Sequence, residues 1–162
     1  MILDIEKIYR TYFMKVYSYI LSTVKNHDIA EEITQNTFLK AMTAKKQFLG
    51  NSSEYTWLCA IAKNQCIDYF REEEKKAPLP EDDSLAFDDE ALDNITKKET
   101  SLKIHKFLHE MEEPYKEVFE LRVFGELSFA EIAQVFGKTE NWARVTYHRA
   151  RLKLKERLNE NE

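Results

Sequence analysis

Three glycines and three prolines are all that 162 residues contain, while apolar side chains recur three and four positions apart along most of the chain. Sheets need frequent tight turns, and tight turns draw on these two residue types, so a chain this poor in them folds as helices. Ile5, Ile8, Tyr9, Tyr12, Phe13, Val16, Tyr17, Ile20, Leu21 and Val24 make an almost unbroken core stripe on a first helix. A second is expected from Asp28, with Glu31 completing a capping box, and buries Ile29, Ala30, Ile33, Phe38, Ala41 and Met42. The outer face of that helix shows Glu31, Glu32, Gln35, Asn36 and Leu39. A third runs from about Ser53 to Arg71, burying Trp57, Leu58, Ile61 and Ala62, while Asn64, Asp68 and Arg71 align on another face.

The pattern breaks at Glu72 to Asn94. That segment carries Pro78, Pro80, Glu81-Asp82-Asp83 and Asp88-Asp89-Glu90 without a sustained period, so self-repulsion favours an extended tether. Leu79, Leu85, Phe87 and Leu92 are its apolar exceptions, free to dock on a partner or to remain part of a solvated spacer. The formal net charge of −5 belongs mainly here: residues 72–94 hold ten anions against two cations, residues 1–71 net +2, and residues 95–162 net +1. The expected architecture is therefore all-α: two small helical domains, 1–71 and 95–162, joined by an acidic linker, 72–94.

After the linker a helix from about Ile95 to Glu112 leads into Pro114, which suits the first turn of the next helix with Val118, Phe119, Leu121 and Phe124. Ser128 and Glu131 form a second capping-box pattern, and Ile132, Ala133 and Phe136 give that short helix its buried side. Gly137 supplies the left-handed stop. Thr139 then caps a last helix with Ala143, Tyr147, Ala150, Leu154 and Leu158 on one face. Beside them runs a second stripe of Arg144, His148, Arg151 and Lys155, flanked by Arg149 and Lys153. Residues 138–157 hold seven cations and two anions. A cationic terminal helix alone is as much a solvated surface as a ligand surface. Joined to the cap, the small Ala and the Gly turn, it describes a helix-turn-helix that enters a DNA major groove.

Other chemistries find little footing. There is no P-loop, GxGxxG or HExxH, and no assembled nucleophile and base, so the chain is not expected to be an enzyme. His105 and His109 have helical i,i+4 spacing, but no third ligand completes a metal site; exposed polar histidines are the expectation, with no metal and no cofactor. Cys59 and Cys66 lie seven apart on one helix, too far to bridge, and read as free buried thiols in a reducing compartment. No apolar run approaches membrane-spanning length and no signal peptide precedes the first helix, so a soluble, cytoplasmic protein without membrane insertion of its own is expected.

Three ordered blocks resemble bacterial RNA polymerase sigma factors of the extracytoplasmic-function (ECF) type. They are Asp28-Ile29-Ala30-Glu31-Glu32-Ile33-Thr34-Gln35-Asn36-Thr37-Phe38-Leu39-Lys40-Ala41; Trp57-Leu58 with Ile61-Ala62-Lys63-Asn64 and Ile67-Asp68-Tyr69-Phe70-Arg71; and Leu127-Ser128-Phe129-Ala130-Glu131-Ile132-Ala133 through Arg149-Ala150-Arg151. Their order, and the acidic break between them, resemble region 2, linker and region 4 of that family, across nearly the whole chain.

The resemblance implies a promoter-specificity subunit that binds core RNA polymerase and promoter DNA, recognises −35 and −10 elements and directs initiation of a stress or envelope-response regulon. It also implies an anti-sigma factor as a separate partner. By similarity, Arg144, Val145, His148 and Arg149 lie nearest the −35 bases, where arginine bonds guanine O6 and N7 and Val145 meets a thymine methyl; Arg151, Lys153 and Lys155 grip phosphates. The −10 element must be unpaired, and an extruded base needs a pocket with stacking and polar groups. Phe48 and Asn51 on the connecting loop, with Lys63, Asn64, Asp68 and Arg71 on the third helix, are the residues the resemblance brings to it. Phe48 either stacks on a base or anchors the loop to the core. Glu32, Gln35, Asn36 and Leu39 form the polymerase-binding patch, and the acidic linker complements the cationic RNA exit path. Asn36 and Val145 depart from the residues usual in the family, and Glu72-Glu73-Glu74 is less basic than the family shows beside DNA. The alternatives are a conventional helix-turn-helix regulator acting without core polymerase, and a helical adaptor whose basic helix meets an acidic protein.

Overall fold

The computed structural model of the chain describes residues 3–76 and 95–160, with side chains in the second segment from Leu102 onward. Among the described residues there are seven α-helices, one 3₁₀ turn and no strand. They run α1 Ile5–Val24, α2 His27–Thr43, a 3₁₀ turn Lys45–Gln47, α3 Glu54–Lys75, α4 Ile95–Glu110, α5 Tyr115–Val123, α6 Phe129–Phe136 and α7 Glu140–Glu160. The acidic segment with Leu79, Leu85, Phe87 and Leu92 lies outside the described residues through Asn94. α3 continues through Glu72, Glu73 and Glu74 to Lys75.

Local chemistry sets the helix ends. Asp4 accepts from the Lys7 amide at 3.2 Å to open α1, and Ser53 accepts from the Thr56 amide at 3.1 Å to open α3. The cap expected at Asp28 is instead Asn26, extended at φ −146° and ψ 122°, whose Oδ1 accepts from the Ile29 amide at 3.0 Å. Asp28 sits inside the first turn, where its charge still favours the helix N-terminus. In α6 the box forms as expected: the Glu131 amide donates to Ser128 Oγ at 3.1 Å and the Ser128 amide to Glu131 Oε1 at 3.0 Å. Gly137 closes α6 at φ 65°, ψ 36°, and Thr139 Oγ1 accepts from the Trp142 amide at 3.1 Å at the start of α7.

α1, α2 and α3 pack as a three-helix unit around Val16, Ile20, Ala30, Phe38, Leu58 and Ala62, all buried. α7 packs on α5, α6 and α4 through the predicted face, with Ala143, Ala150 and Leu154 buried and Tyr147 and Leu158 half-buried. Met42, assigned to the core from its spacing, is exposed, and Tyr9 lies at the rim with its ring against Phe13 and Phe38. Of the two histidines only His105 differs from expectation: it is half-buried and stacked on Phe124, whereas His109 is exposed as expected, with its ring edge-on to Phe70.

The two helical units are not held apart. One apolar core runs from Leu3 and Ile8 through Leu58 and Cys66 to Val118, Leu121, Leu127 and Ile132. α6 lies on α3, and α5 touches α1, so the two halves meet along a seam.

Candidate nucleic-acid interface

Burying Ala143, Thr146 and Ala150 turns the other side of α7 to solvent, and Arg144, Val145, His148, Arg149, Arg151, Lys153 and Lys155 are all exposed there. Thr146 is buried beside the alanines, a face residue its hydroxyl hid from the apolar count. Two of these cations have carboxylate partners, and Arg151 lies over the Tyr147 ring. Arg144 Nη2 pairs with Glu140 Oε1 one turn back at 3.0 Å, and Lys153 Nζ lies 3.9 Å from Glu112 Oε1. Both pairs are solvent-exposed and worth little, so either cation is released at small cost. Trp142 packs on Phe136, ring centroids 5.2 Å apart, and fixes the start of the helix rather than facing a groove.

The second expected DNA surface is drawn together less evenly. Asn64 and Asp68 are exposed on α3. Phe48 is half-buried against Trp57, centroids 5.3 Å apart, so here its ring anchors the loop. The other three touch the C-terminal half. The Asn51 carbonyl accepts from Gln134 Nε2 at 3.1 Å; Lys63 Nζ sits 4.3 Å from the Phe136 ring centroid; Arg71 Nη2 is 3.7 Å from Glu113 Oε1. Burial lowers the Lys63 pKa, countered in part by Glu117 and Glu113.

The patch on α2 is open. Glu32, Gln35, Asn36 and Leu39 are all exposed, and Leu39, 56% accessible, is the apolar centre of a polar surface. Beneath them Thr34 and Thr37 are buried with hydroxyls donating to Ala30 and Ile33 carbonyls, which leaves the outer face free of structural duty.

The seam contains what sequence reading did not find. Tyr55 Oη donates to the Gly125 carbonyl at 2.8 Å, and Thr56 Oγ1 donates to Glu131 Oε2 at 2.7 Å. A β-carbon on Gly125 would stand 2.7 Å from the Leu121 carbonyl oxygen, so only glycine permits this turn to close against α5. Burial alone would raise the Glu131 pKa, but bonds from the Ser128 amide and the Thr56 hydroxyl outweigh it and lower the pKa. Further along, Glu117 and Glu120 of α5 are buried, and Glu117 Oε1 has no hydrogen-bond partner among the described residues. Burial pushes Glu120 up to about 8, against the pull of Lys116. A cleft of about 280 Å³ opens beside them, lined by Lys63, Cys66, Arg71, His109, Lys116 and Glu117 among others. Burial lowers His105 to about 4, and lowers His109 as well. Among the described residues no group of three His, Cys, Asp or Glu is placed to hold a metal, and no helix is long and apolar enough to cross a membrane.

Comparison with known proteins matches each half of the chain to one region of a single family. Residues 8–76 match the family description Sigma-70 region 2, and residues 101–154 match Sigma-70, region 4. The chain is 31% identical over 162 residues to RNA polymerase sigma factor YlaC of Bacillus subtilis (strain 168), covering 96% of this chain and 92% of that protein. It is 28% identical over 155 residues to ECF RNA polymerase sigma factor SigM of the same organism, covering 94% of each. Among solved structures it shares its fold with CnrH, determined in complex with the cytosolic domain of CnrY (TM-score 0.69, 18% identity, 98% of this chain and 89% of that one). A second is RpoE bound to the anti-sigma factor NepR from Bartonella quintana (TM-score 0.67, 20% identity, 96% and 97%).

Proposed function

The chain belongs to the RNA polymerase sigma factors of the extracytoplasmic-function type, and on that premise we propose how its surfaces divide the work of promoter-directed initiation. The exposed α7 stripe reads the −35 element, with Arg144, Val145, His148 and Arg149 over the bases and Arg151, Lys153 and Lys155 on phosphates. Phe48, Asn51, Lys63, Asn64, Asp68 and Arg71 hold the unpaired −10 strand. Glu32, Gln35, Asn36 and Leu39 dock on core polymerase. The domain limits are 1–71, 72–94 and 95–162, with the acidic segment following the polymerase's cationic path.

The observation that carries this reading is the two-sided character of α7. One face is buried on α4, α5 and α6, and the other exposes Arg144, His148, Arg149, Arg151, Lys153 and Lys155 on a capped helix-turn-helix. A regulator working without polymerase would account for that element but not for a first half matching region 2 with an open Leu39 patch. The factor acts in the cytoplasm, where polymerase is, on a stress or envelope-response regulon. A separate anti-sigma protein holds it in check, as NepR is seen bound to the sigma factor RpoE.

The test is run-off transcription with purified core polymerase over a randomised promoter library. New start sites with a fixed −35 and −10 spacing are expected. Phe48→Ala and Asn64→Ala should keep polymerase binding and lose promoter opening. A chain that polymerase neither captures nor uses for initiation would end the proposal.

A further inference from the structure

The cleft of about 280 Å³ beside Glu117 is lined by α1 and α3 from one half and by α4, α5 and the turn between them from the other. Its charge is one-sided, with six glutamates against two lysines and one arginine, so its ligand is a cation. The three cations of the lining are taken up elsewhere. Lys116 Nζ sits 4.0 Å from the centroid of the Phe70 ring, Lys63 Nζ 4.3 Å from that of Phe136, and Arg71 pairs with Glu113 at 3.7 Å. Glu117 is only 6% exposed, yet its Oε1 has no hydrogen-bond partner among the described residues. The exposed glutamates differ among themselves. Glu110, Glu112 and Glu113 pair with Arg157, Lys153 and Arg71, whereas Glu74 has no ion pair among the described residues.

We propose that this cleft is a binding site for a short aliphatic polyamine, one ammonium donating to buried Glu117, the methylenes lying on Ile67, Phe70 and Met111, and a second ammonium meeting exposed Glu74. A carboxylate oxygen buried without a donor loses its hydration and gains nothing in return. Water restores a hydrogen bond but no positive charge. An ammonium restores both, and charge-assisted bonds are roughly twice as strong as neutral ones. Burial raises the Glu117 pKa, so ionisation is penalised there, and a bound cation lifts that penalty. A metal ion answers the charge less well, because among the described residues no three His, Cys, Asp or Glu are placed to hold one. The site does not depend on the promoter and polymerase assignments, and an occupant touches both helical halves at once.

The test titrates the full chain with ethylenediamine, putrescine and cadaverine, followed by isothermal calorimetry and by thermal unfolding in circular dichroism. Two controls separate the chemistry: n-butylammonium has one ammonium on an alkyl chain, and tetramethylammonium has charge but no N–H. All are chloride salts at one ionic strength. One diamine of the series should bind saturably, one per chain, with a Kd on the order of 1 mM or tighter, and raise the unfolding midpoint with concentration. It should bind about tenfold more tightly than n-butylammonium, and tetramethylammonium should give no saturable heat.

Glu117→Gln keeps the shape of the side chain and should weaken the diamine about tenfold. Glu74→Gln, at an exposed position, should bring the diamine down to the affinity of n-butylammonium. Should Glu117→Gln fail to fold, Glu74→Gln and the amine series decide. The site is refuted if every diamine behaves as tetramethylammonium does, which is screening of surface charge. It is equally refuted if a diamine binds and neither substitution weakens it, because the amine then sits elsewhere.

Discussion

Glu120→Gln should flatten a pH dependence that the parent chain shows between about pH 6 and pH 8. Glu120 is 4% exposed on α5, facing Tyr19 and Thr23 of α1, Lys25 just past its end, Cys66 of α3, and Lys116 and Glu117 of its own helix. Burial lifts its carboxyl from 4.5 to about 8. Through that interval the folded chain keeps a proton that the unfolded chain has released, so stability falls as pH rises, by up to about 1.4 kcal/mol per pH unit. Integrated from pH 6 to pH 8, the loss is about 2 kcal/mol, because near the folded-state pKa the slope has already halved. Glutamine matches the protonated acid in shape and cannot ionise, so the variant should equal the parent only below about pH 4.5, where neither state of the parent has ionised, and its advantage should grow by about 2 kcal/mol more between pH 6 and pH 8. Lys25, lowered by burial to about 8, has the opposite sign and acts above this window, which sets the upper limit of the comparison. Urea unfolding followed by circular dichroism at several pH values measures the difference directly. Parallel curves for parent and variant would mean that Glu120 is already ionised, and that the seam is wetter than its packing implies.

Three other outcomes test separate links. Arg149→Ala should lower −35-dependent transcription by about 1–3 kcal/mol of discrimination, read by competition between matched and mismatched promoters, with polymerase affinity unchanged. Leu39→Glu should weaken holoenzyme assembly in a gel-filtration or fluorescence titration while leaving the thermal midpoint within about 1 °C, because Leu39 is 56% exposed and supports no core. Gly137→Ala should cost about 1 kcal/mol in unfolding, from its φ of 65° alone, since nothing lies within 4 Å of the added carbon.

What the sequence made legible was local. Ser128, Glu131 and Gly137 mark α6 by chemistry that acts within a few residues, and the two faces of α7 follow from spacing. Local patterns also compete. Asn26 and Asp28 both precede the same helix and both can cap it; the extended backbone at Asn26 decides the matter. Met42 falls on the apolar stripe of α2 yet lies beyond the edge of α1 and α3, so periodicity assigns it a core that does not reach that far. The seam left no trace in the pattern at all. Tyr55 and Gly125 are 70 positions apart, and Thr56 and Glu131 are 75 apart, so neither pair belongs to any window in which spacing has meaning. Glu117 and Glu120 look like solvent-facing positions of a short helix until α1 and α3 cover them.

Glu131 serves the cap of α6 and the seam with separate atoms. One of its oxygens, Oε1, closes the cap of α6 by accepting from the Ser128 amide; the other, Oε2, takes the Thr56 hydroxyl across the seam. The two tasks are divided between atoms, so parting from α3 removes the second bond and leaves the first. Water then replaces Thr56 at a carboxylate that is already partly accessible, and the change is on the order of 1 kcal/mol. Gly125 follows the same logic, because its carbonyl is the only atom it offers to Tyr55 and its role in the turn is steric. The opposing contribution lies at Glu117 and Glu120, which sit in a buried site that penalises their charge. For them exposure relieves a burial penalty, and the relief grows with pH. The seam therefore rests on apolar contact and a few replaceable hydrogen bonds, opposed by two carboxyl groups that favour water.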